Sequence, residues 1–223
     1  MTIQEAIISR HSVRQYIEKP IEEEKISQLR ELIEECNRLG SLHIRLVTDE
    51  PKAFSNGLAK YGKFTGISNY IVMACKKGDE TTLGYYGEHI VLVAQTLGLN
   101  TCWVGLTFSN QKDTYTLLPD ERLACVVALG YGATQGTQHP QKKSVTDVSK
   151  APDNAPEWFV RGVEAALLAP TAVNQQKFEF ILHGDNKVQA KAKFSLVGYA
   201  AIDLGIAKRH FEIGAGKENF EWV

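Results

Sequence analysis

The segment Thr2-Ile3-Gln4-Glu5-Ala6-Ile7-Ile8-Ser9-Arg10-His11-Ser12-Val13-Arg14 sets how the chain begins and carries its densest polar cluster. Thr2, followed three residues later by Glu5, predicts a capping box at a helix start. Apolar residues at helical spacing then predict a short anchored helix that ends near Ser9. The two forked arginine side chains, with a serine between them, suit a dianionic phosphate. The cluster therefore leaves a fixed helix end and is not a floppy tail.

The composition is that of an ordinary globular protein, and it argues against several classes of function. Of the 223 residues, 43% are hydrophobic and 23% are charged, and the formal net charge is -1. No overall field favours nucleic acid or an anionic membrane, so any anion site must be local. Without an 18-residue apolar run or a signal-peptide core, we expect a cytoplasmic protein that does not enter a membrane. Four scattered cysteines predict buried, reduced thiols and no metal site.

Hydrophobic periodicity and turn residues predict alternating helices and strands. We expect further helices over 21–39, 87–97, 156–168 and 196–210, and another from Ser109 to just before Pro119. We expect strands over 42–48, 69–75, 101–106, 123–129 and 177–183, and an edge strand over 220–223. Between 130 and 154 the chain is rich in Gly, Gln, Thr, Lys and Pro, which indicates a linker or a functional loop.

The two sides of this loop resemble degenerate copies of one unit. A helix, a strand and a glycine-containing apolar helix follow in the same order in both parts. The parallel segments are 26–36, 42–48 and 87–97 before the loop, and 158–168, 177–183 and 198–210 after it. Ordinary alternation of helices and strands can produce the same pattern, so the repeat is a hypothesis.

Two further polar segments are candidate binding elements, and each also has a purely structural interpretation. Pro170-Thr171-Ala172-Val173-Asn174-Gln175-Gln176 offers a hydroxyl, amides and backbone N–H groups that suit a heterocycle or a polyol. A polar turn after an apolar helix has the same composition. The strand 101–106 runs into Gly105, where a backbone can approach a flat ligand closely, but a core strand ending at a turn has the same pattern.

Lysines supply two more candidates. Lys142-Lys143, with His139 nearby, either completes a phosphate site with the N-terminal arginines or is an ordinary solvated pair. Lys63 stands alone in a glycine-bearing stretch, which is most often typical of a surface position.

Together these segments resemble the nitroreductase family of FMN-dependent oxidoreductases over nearly the whole chain. Residues 3–16 are similar to the family's opening helix and FMN-phosphate motif, and 97–105 to the strand whose end lies against the isoalloxazine ring. Residues 126–132, with the lysine-bearing loop after them, resemble the next strand and a second phosphate-binding segment. Residues 169–176 resemble the family's Ser/Asn/Gln loop. The resemblance implies an α+β fold with central, mostly antiparallel sheets flanked by helices.

The resemblance also implies which residues bind the phosphate of the cofactor. Arg10, Ser12 and Arg14 are expected to hold it, and Lys142 or Lys143 to assist. Losing one charged phosphate contact should cost roughly 1.5–3 kcal/mol of cofactor binding.

Other residues are expected, from the same resemblance, to contact the flavin itself. His11 contacts the ring or the ribityl edge, and Thr171 and Asn174 reach the flavin from the second half of the chain. Val104-Gly105 offers backbone near the N5 edge, and Lys63 lies near the pyrimidine side. A cation there would stabilise the charge of the reduced ring. Neither a catalytic side chain nor a metal ligand is expected.

One departure from the family pattern bears on the organisation of the chain. In usual members the Ser/Asn/Gln loop follows soon after the arginine motif, but the matching place, Arg38-Leu39-Gly40-Ser41, lacks it. The loop occurs in the second half, which in turn lacks the arginine motif. Usual members are homodimers, so we expect a fused pseudo-dimer with one FMN at the seam. Residues 1–150 would form a half with the phosphate motif and 151–223 a degenerate half, in a monomer or weak homodimer.

The function implied is an FMN-dependent oxidoreductase that takes electrons from NAD(P)H. By a ping-pong mechanism it would reduce a nitroaromatic, a quinone or a similar small acceptor. A flavin-binding sensor or carrier without turnover is the alternative, because a degenerate architecture is compatible with lost activity. A nucleic-acid contact at Arg10–Arg14 is a third interpretation, and the neutral net charge and the lack of a basic stripe argue against it.

Overall fold

The fold consists of two four-stranded sheets flanked by helices, which confirms the predicted α+β class. The computed structural model describes residues 1–55, 57–138, 140, 142–184 and 186–223. His139, named above beside the lysine pair, lies outside these residues. Within the described part, no helix is both long and apolar enough to cross a membrane.

Helices and strands are interspersed along the chain. The helices are α1 (Ile3–Ser9), α2 (Glu23–Gly40), α3 (Gly57–Tyr61), α4 (Glu80–Thr96), α5 (Val145–Val148), α6 (Glu157–Leu167) and α7 (Ala200–Ala215). The strands are β1 (Arg45–Val47), β2 (Asn69–Lys76), β3 (Asn100–Val104), β4 (Glu121–Gly130), β5 (Ser149–Lys150), β6 (Phe178–His183), β7 (Lys187–Ala192) and β8 (Glu221–Trp222).

Each sheet is built around an antiparallel pair of strands. The first has the order β1-β2-β4-β3 and is antiparallel throughout. The second has the order β5-β6-β7-β8, in which the central pair is antiparallel and both outer pairs are parallel. Strand β5 follows the strands of the first sheet along the chain but pairs with β6 in the second. The chain therefore completes the first sheet before it enters the second.

Helices α4 and α7 cross at a seam where their backbones nearly touch. A Cβ at Gly84 would lie 2.1 Å from the carbonyl oxygen of Ile202, and a Cβ at Gly205 would lie 2.0 Å from that of Thr81. Only glycine leaves room for such an approach. The two contacts are reciprocal, because Thr81 lies one turn before Gly84 and Ile202 lies one turn before Gly205.

The prediction of a helix from Ser109 to just before Pro119 is wrong. This segment forms only a 3₁₀ turn at Lys112–Thr114 and is otherwise irregular. Asp113, Thr114, Tyr115 and Thr116 are poor helix formers, so nothing local opposes other contacts. The Thr114 hydroxyl instead lies 3.0 Å from the hydroxyl of Tyr70 on β2, and this hydrogen bond fixes the turn.

Several other elements differ from the sequence predictions. Strand β7 was not predicted, because its sequence KVQAKA is polar and only Val188 is fully buried. Helix α4 begins at Glu80, seven residues earlier than predicted. Its first turns contain glycine and β-branched threonines, which have low helix propensity, so the sequence did not indicate them. Helix α7 begins at Ala200, since Gly198 and Tyr199 both have left-handed backbone. The loop 130–154 also contains α5 and β5.

Candidate functional site

One cavity of about 760 Å³ lies where the end of α1, the end of β3 and the segment after α6 meet α7. Its volume is in the range of small-molecule and cofactor sites. Ten of the residues predicted from the sequence line it: Arg10, His11, Ser12, Arg14, Lys63, Val104, Gly105, Lys142, Thr171 and Asn174. The fold therefore brings together segments that are more than 150 residues apart in the chain.

The arginine segment is held at both ends. The Thr2 side chain accepts from the backbone N–H of Glu5, and the Glu5 carboxylate accepts from the N–H of Thr2, so the predicted capping box is present. Beyond the helix, the Val13 N–H donates to the Thr101 carbonyl at 3.0 Å, and the Val13 side chain is buried. These contacts fix the backbone between them, which carries the polar side chains to the cavity.

Arg10 is the buried cation of the site. It is 6% exposed, and its Nε and Nη1 atoms are buried without a hydrogen-bond partner in the structure. Its Nε lies 3.7 Å from the carboxylate of Glu88, which is too far for a hydrogen bond. Buried N–H groups without partners are costly. Arg10 also lines the cavity, so an anionic ligand bound there would lie close to its positive charge.

The loop 171–176 forms the opposite wall and has a constrained backbone. Val173 and Asn174 have φ of 48° and 53°, and Val173 is 71% exposed. A β-branched residue in left-handed conformation is strained, and such strain is commonest at binding sites. The Gln176 N–H donates to the Thr171 hydroxyl at 3.0 Å, which closes the loop on itself.

Lys143 is the one predicted residue that does not line the cavity. Its ammonium donates to the backbone carbonyl of Gln176, so it supports the loop from behind. Burial, together with the nearby Lys177 and Lys193, lowers the pKa of Lys143. Of the lysine pair, Lys142 alone reaches the cavity.

Asp203 on α7 anchors the same loop and was missed in the sequence. Its carboxylate accepts from the Ala172 N–H at 3.0 and 3.2 Å and from the side-chain amide of Gln175 at 2.7 Å. The sequence itself marks Asp203 as unusual, because it is a lone acid in the apolar run AAIDLGI. A buried acid in such a run needs hydrogen-bond partners, and here the loop supplies them through Ala172 and Gln175.

The stability of the protein is expected to depend on pH through Asp203. Burial raises its pKa from 3.8 to about 6, although the hydrogen bonds from Gln175 and Ala172 act in the opposite direction. The folded state then binds the proton more tightly than the unfolded state. Stability from this group is therefore present below pH 4 and is lost as the pH rises to 6, by about 3 kcal/mol.

Denaturant unfolding of the wild type and of Asp203→Asn at pH 4 and pH 7 measures this effect. The variant cannot ionise, so the difference between the two proteins should shift in its favour by about 3 kcal/mol at the higher pH. Unfolding free energies that change in parallel would show that Asp203 ionises as it does in water.

Two aromatic residues complete the walls beside Gly105. The Tyr199 hydroxyl donates to the Gly105 carbonyl at 3.1 Å, and a Cβ at Gly105 would lie 2.6 Å from that hydroxyl oxygen. The Trp103 indole N–H donates to Glu88 at 2.9 Å. Neither residue was predicted as part of the site. In the described part of the chain, no group of three His, Cys, Asp or Glu side chains is placed to hold a metal ion.

Comparisons with known proteins agree with this architecture. The family model described as "Putative TM nitroreductase" matches residues 2–215. A solved structure from Thermotoga maritima, described as a "putative nitroreductase", is 22% identical, with a TM-score of 0.68 over 98% of this chain and 85% of its own. One from Parabacteroides distasonis, described as "Putative NADH dehydrogenase/NAD(P)H nitroreductase", is 20% identical, with a TM-score of 0.51 over 66% of this chain and 95% of its own. A search of curated proteins found no match.

Proposed function

This chain belongs to the TM nitroreductase family, and from that membership we propose that it is an FMN-dependent oxidoreductase. It would take electrons from NAD(P)H and pass them to a nitroaromatic, a quinone or a similar small acceptor. The observation that carries the proposal is the buried guanidinium of Arg10, a residue of the cavity lining whose Nε and Nη1 have no hydrogen-bond partner. A phosphate monoester is a ligand of matching charge and hydrogen-bonding capacity.

The residues around the cavity fit a flavin phosphate. Arg10, Ser12 and Arg14 would hold the phosphate, and Lys142 would add a third cation. Lys143 would act through the loop carbonyl that it binds. Two-electron redox chemistry would be supplied by the bound flavin, while the protein orients it and excludes water.

The rest of the site would orient the ring. Thr171 and Asn174 would reach it from the strained loop, and His11 from the end of the first helix. Val104-Gly105 would lie beside it with backbone groups, and Lys63 would place a cation near its pyrimidine edge. Donor and acceptor would occupy the same open face in turn, which corresponds to ping-pong turnover.

We also propose that the chain is a fused pair of related halves with one flavin site at their seam. The reciprocal contacts between α4 and α7 support this. The 121 residues that separate Thr81 from Ile202 also separate Gly84 from Gly205. We expect a monomer with one FMN per chain, measured by light scattering and by flavin absorbance of a protein of known concentration.

An anaerobic absorbance titration tests the proposed activity. The purified protein reconstituted with FMN should show the flavin bands, and these should bleach on addition of NADH or NADPH and return with a quinone or a nitroaromatic. Flavin that binds but stays oxidised would instead support a carrier or sensor. Absence of flavin after addition of FMN would contradict both the cofactor and the residues assigned to it.

A further inference from the structure

A buried polar cluster lies behind the cavity and joins its two walls. Its centre is Glu88 on α4, which is fully buried. One carboxylate oxygen accepts from the Trp103 indole at 2.9 Å, and the other lies 2.8 Å from Nε2 of His210 and 3.7 Å from Nε of Arg10. His210, on α7, is also fully buried, and its Nδ1 lies 3.1 Å from the Ala165 carbonyl. Glu88 thus touches two residues that line the cavity.

The hydrogen bonds of His210 determine the charge of this cluster. Both ring nitrogens face oxygen acceptors, and a neutral imidazole can donate through only one of them. A second proton on the Glu88–His210 pair lets both of these hydrogen bonds form, and with it the pair has no net charge. Glu88 can hold Arg10 in place through its partial negative charge, while Arg10 still presents a full positive charge to a ligand.

The opposite side of the seam offers an internal comparison. Position 209 is separated from Glu88, and position 210 from His89, by the same 121 residues that relate the reciprocal glycines. There the pair is Arg209 with His89, whose Nδ1 lies 2.8 Å from the guanidinium. Helix packing at this position therefore does not require a carboxylate. Of the two related positions, only the one beside Arg10 carries an acid, Glu88, and the other carries Arg209.

We propose that Glu88 and His210 are positioning residues that aim Arg10 at the phosphate of the flavin, and that they thereby set the preference for FMN over riboflavin. The inference rests on the proposed function and goes beyond it, since neither residue reaches the cavity. Glu88 restrains the guanidinium, and the proton that it shares with His210 prevents it from neutralising that charge. Removing either residue should weaken the binding of phosphate-bearing flavin alone.

Titration of the cofactor-free protein with FMN and with riboflavin, followed by flavin fluorescence, tests the proposal without any turnover. Glu88→Gln and His210→Gln are expected to weaken FMN binding about tenfold and riboflavin binding less than twofold. The matched controls Arg209→Gln and His89→Gln change the related pair on the opposite side of the seam, and both should keep the wild-type ratio of the two affinities. Because the ratio is taken on folded protein, a general loss of stability does not affect it.

The outcomes separate the two proposals. If the wild type binds neither flavin, the proposed function is wrong. If it prefers FMN and the Glu88 and His210 variants keep that preference, only the positioning role is wrong. Equal weakening of both flavins would also overturn it, since that result indicates a shift of the Trp103 wall. If the Arg209 and His89 control variants changed the ratio of the two affinities in the same way, the Glu88–His210 pair would contribute only to helix packing.

Discussion

Arg10→Ala is expected to weaken FMN binding by about a hundredfold, the largest effect on binding of any single substitution in the site. A charge-assisted contact to phosphate contributes roughly 1.5–3 kcal/mol, and the upper end applies to a guanidinium that is already desolvated. Arg10 is 6% exposed and its Nε and Nη1 lack partners, so folding has already removed water from these groups. Isothermal titration of the cofactor-free variant with FMN measures the change.

Two further variants make the result specific to Arg10. Arg10→Lys keeps the charge but loses the forked geometry, so an intermediate affinity is expected. Arg30→Ala removes an exposed arginine whose pair with Glu23 has an N–O distance of 3.4 Å, and it should leave FMN binding unchanged. If the Arg10→Ala variant bound FMN within threefold of the wild-type affinity, the phosphate would not be bound by Arg10.

Gly205→Ala is expected to cause the largest loss of stability, about 3 kcal/mol or more. In an ordinary helix this change is favourable, because alanine is the better helix former. Here the added methyl would lie 2.0 Å from the Thr81 carbonyl oxygen and 2.7 Å from the Tyr85 backbone nitrogen. Backbone cannot rotate away as a side chain can, so α4 and α7 must separate. The cavity between the two walls would change with them.

Thermal unfolding checks this expectation, with a fall in the midpoint of roughly 10 °C for a chain of this size. The matched control is Gly57→Ala in α3, where the described residues beyond its chain neighbours and its own helix backbone place no atom within 4 Å of the added methyl. That variant should be as stable as the wild type or slightly more so. A Gly205→Ala midpoint equal to the control would mean that the two helices can move apart at little cost.

Those parts of the fold with a local cause could be predicted from the sequence. The capping box at Thr2 and the apolar residues after it determine α1 within the first nine residues. Strand β2 was predicted from its run of apolar residues, and it is buried along almost its whole length. The arginine cluster carries its chemistry in adjacent residues, so a short motif was sufficient to place it at a site.

Other parts depend on contacts between distant residues, which no local pattern contains. Gly84 and Gly205 weaken a helix in isolation, and their purpose becomes visible only where α4 meets α7. Asp203 and Glu88 are acids within apolar stretches of their helices, and they bind groups that lie far away in the chain. Lys143 looked equivalent to Lys142, but which of two neighbouring lysines turns inward depends on the loop at Gln176.

The unlike pairs at the seam carry a consequence for how this protein can change over time. In an assembly of two identical chains, any substitution at the interface appears twice, so an acid gained on one side must also be gained on the other. In the proposed fused pseudo-dimer, Glu88 and Arg209 would occupy related places, with an acid at one and a base at the other. A single polypeptide permits this, since each position is encoded once. Substitutions on one side of the molecule can thus improve ligand binding, while substitutions on the other side can improve the packing of the two helices.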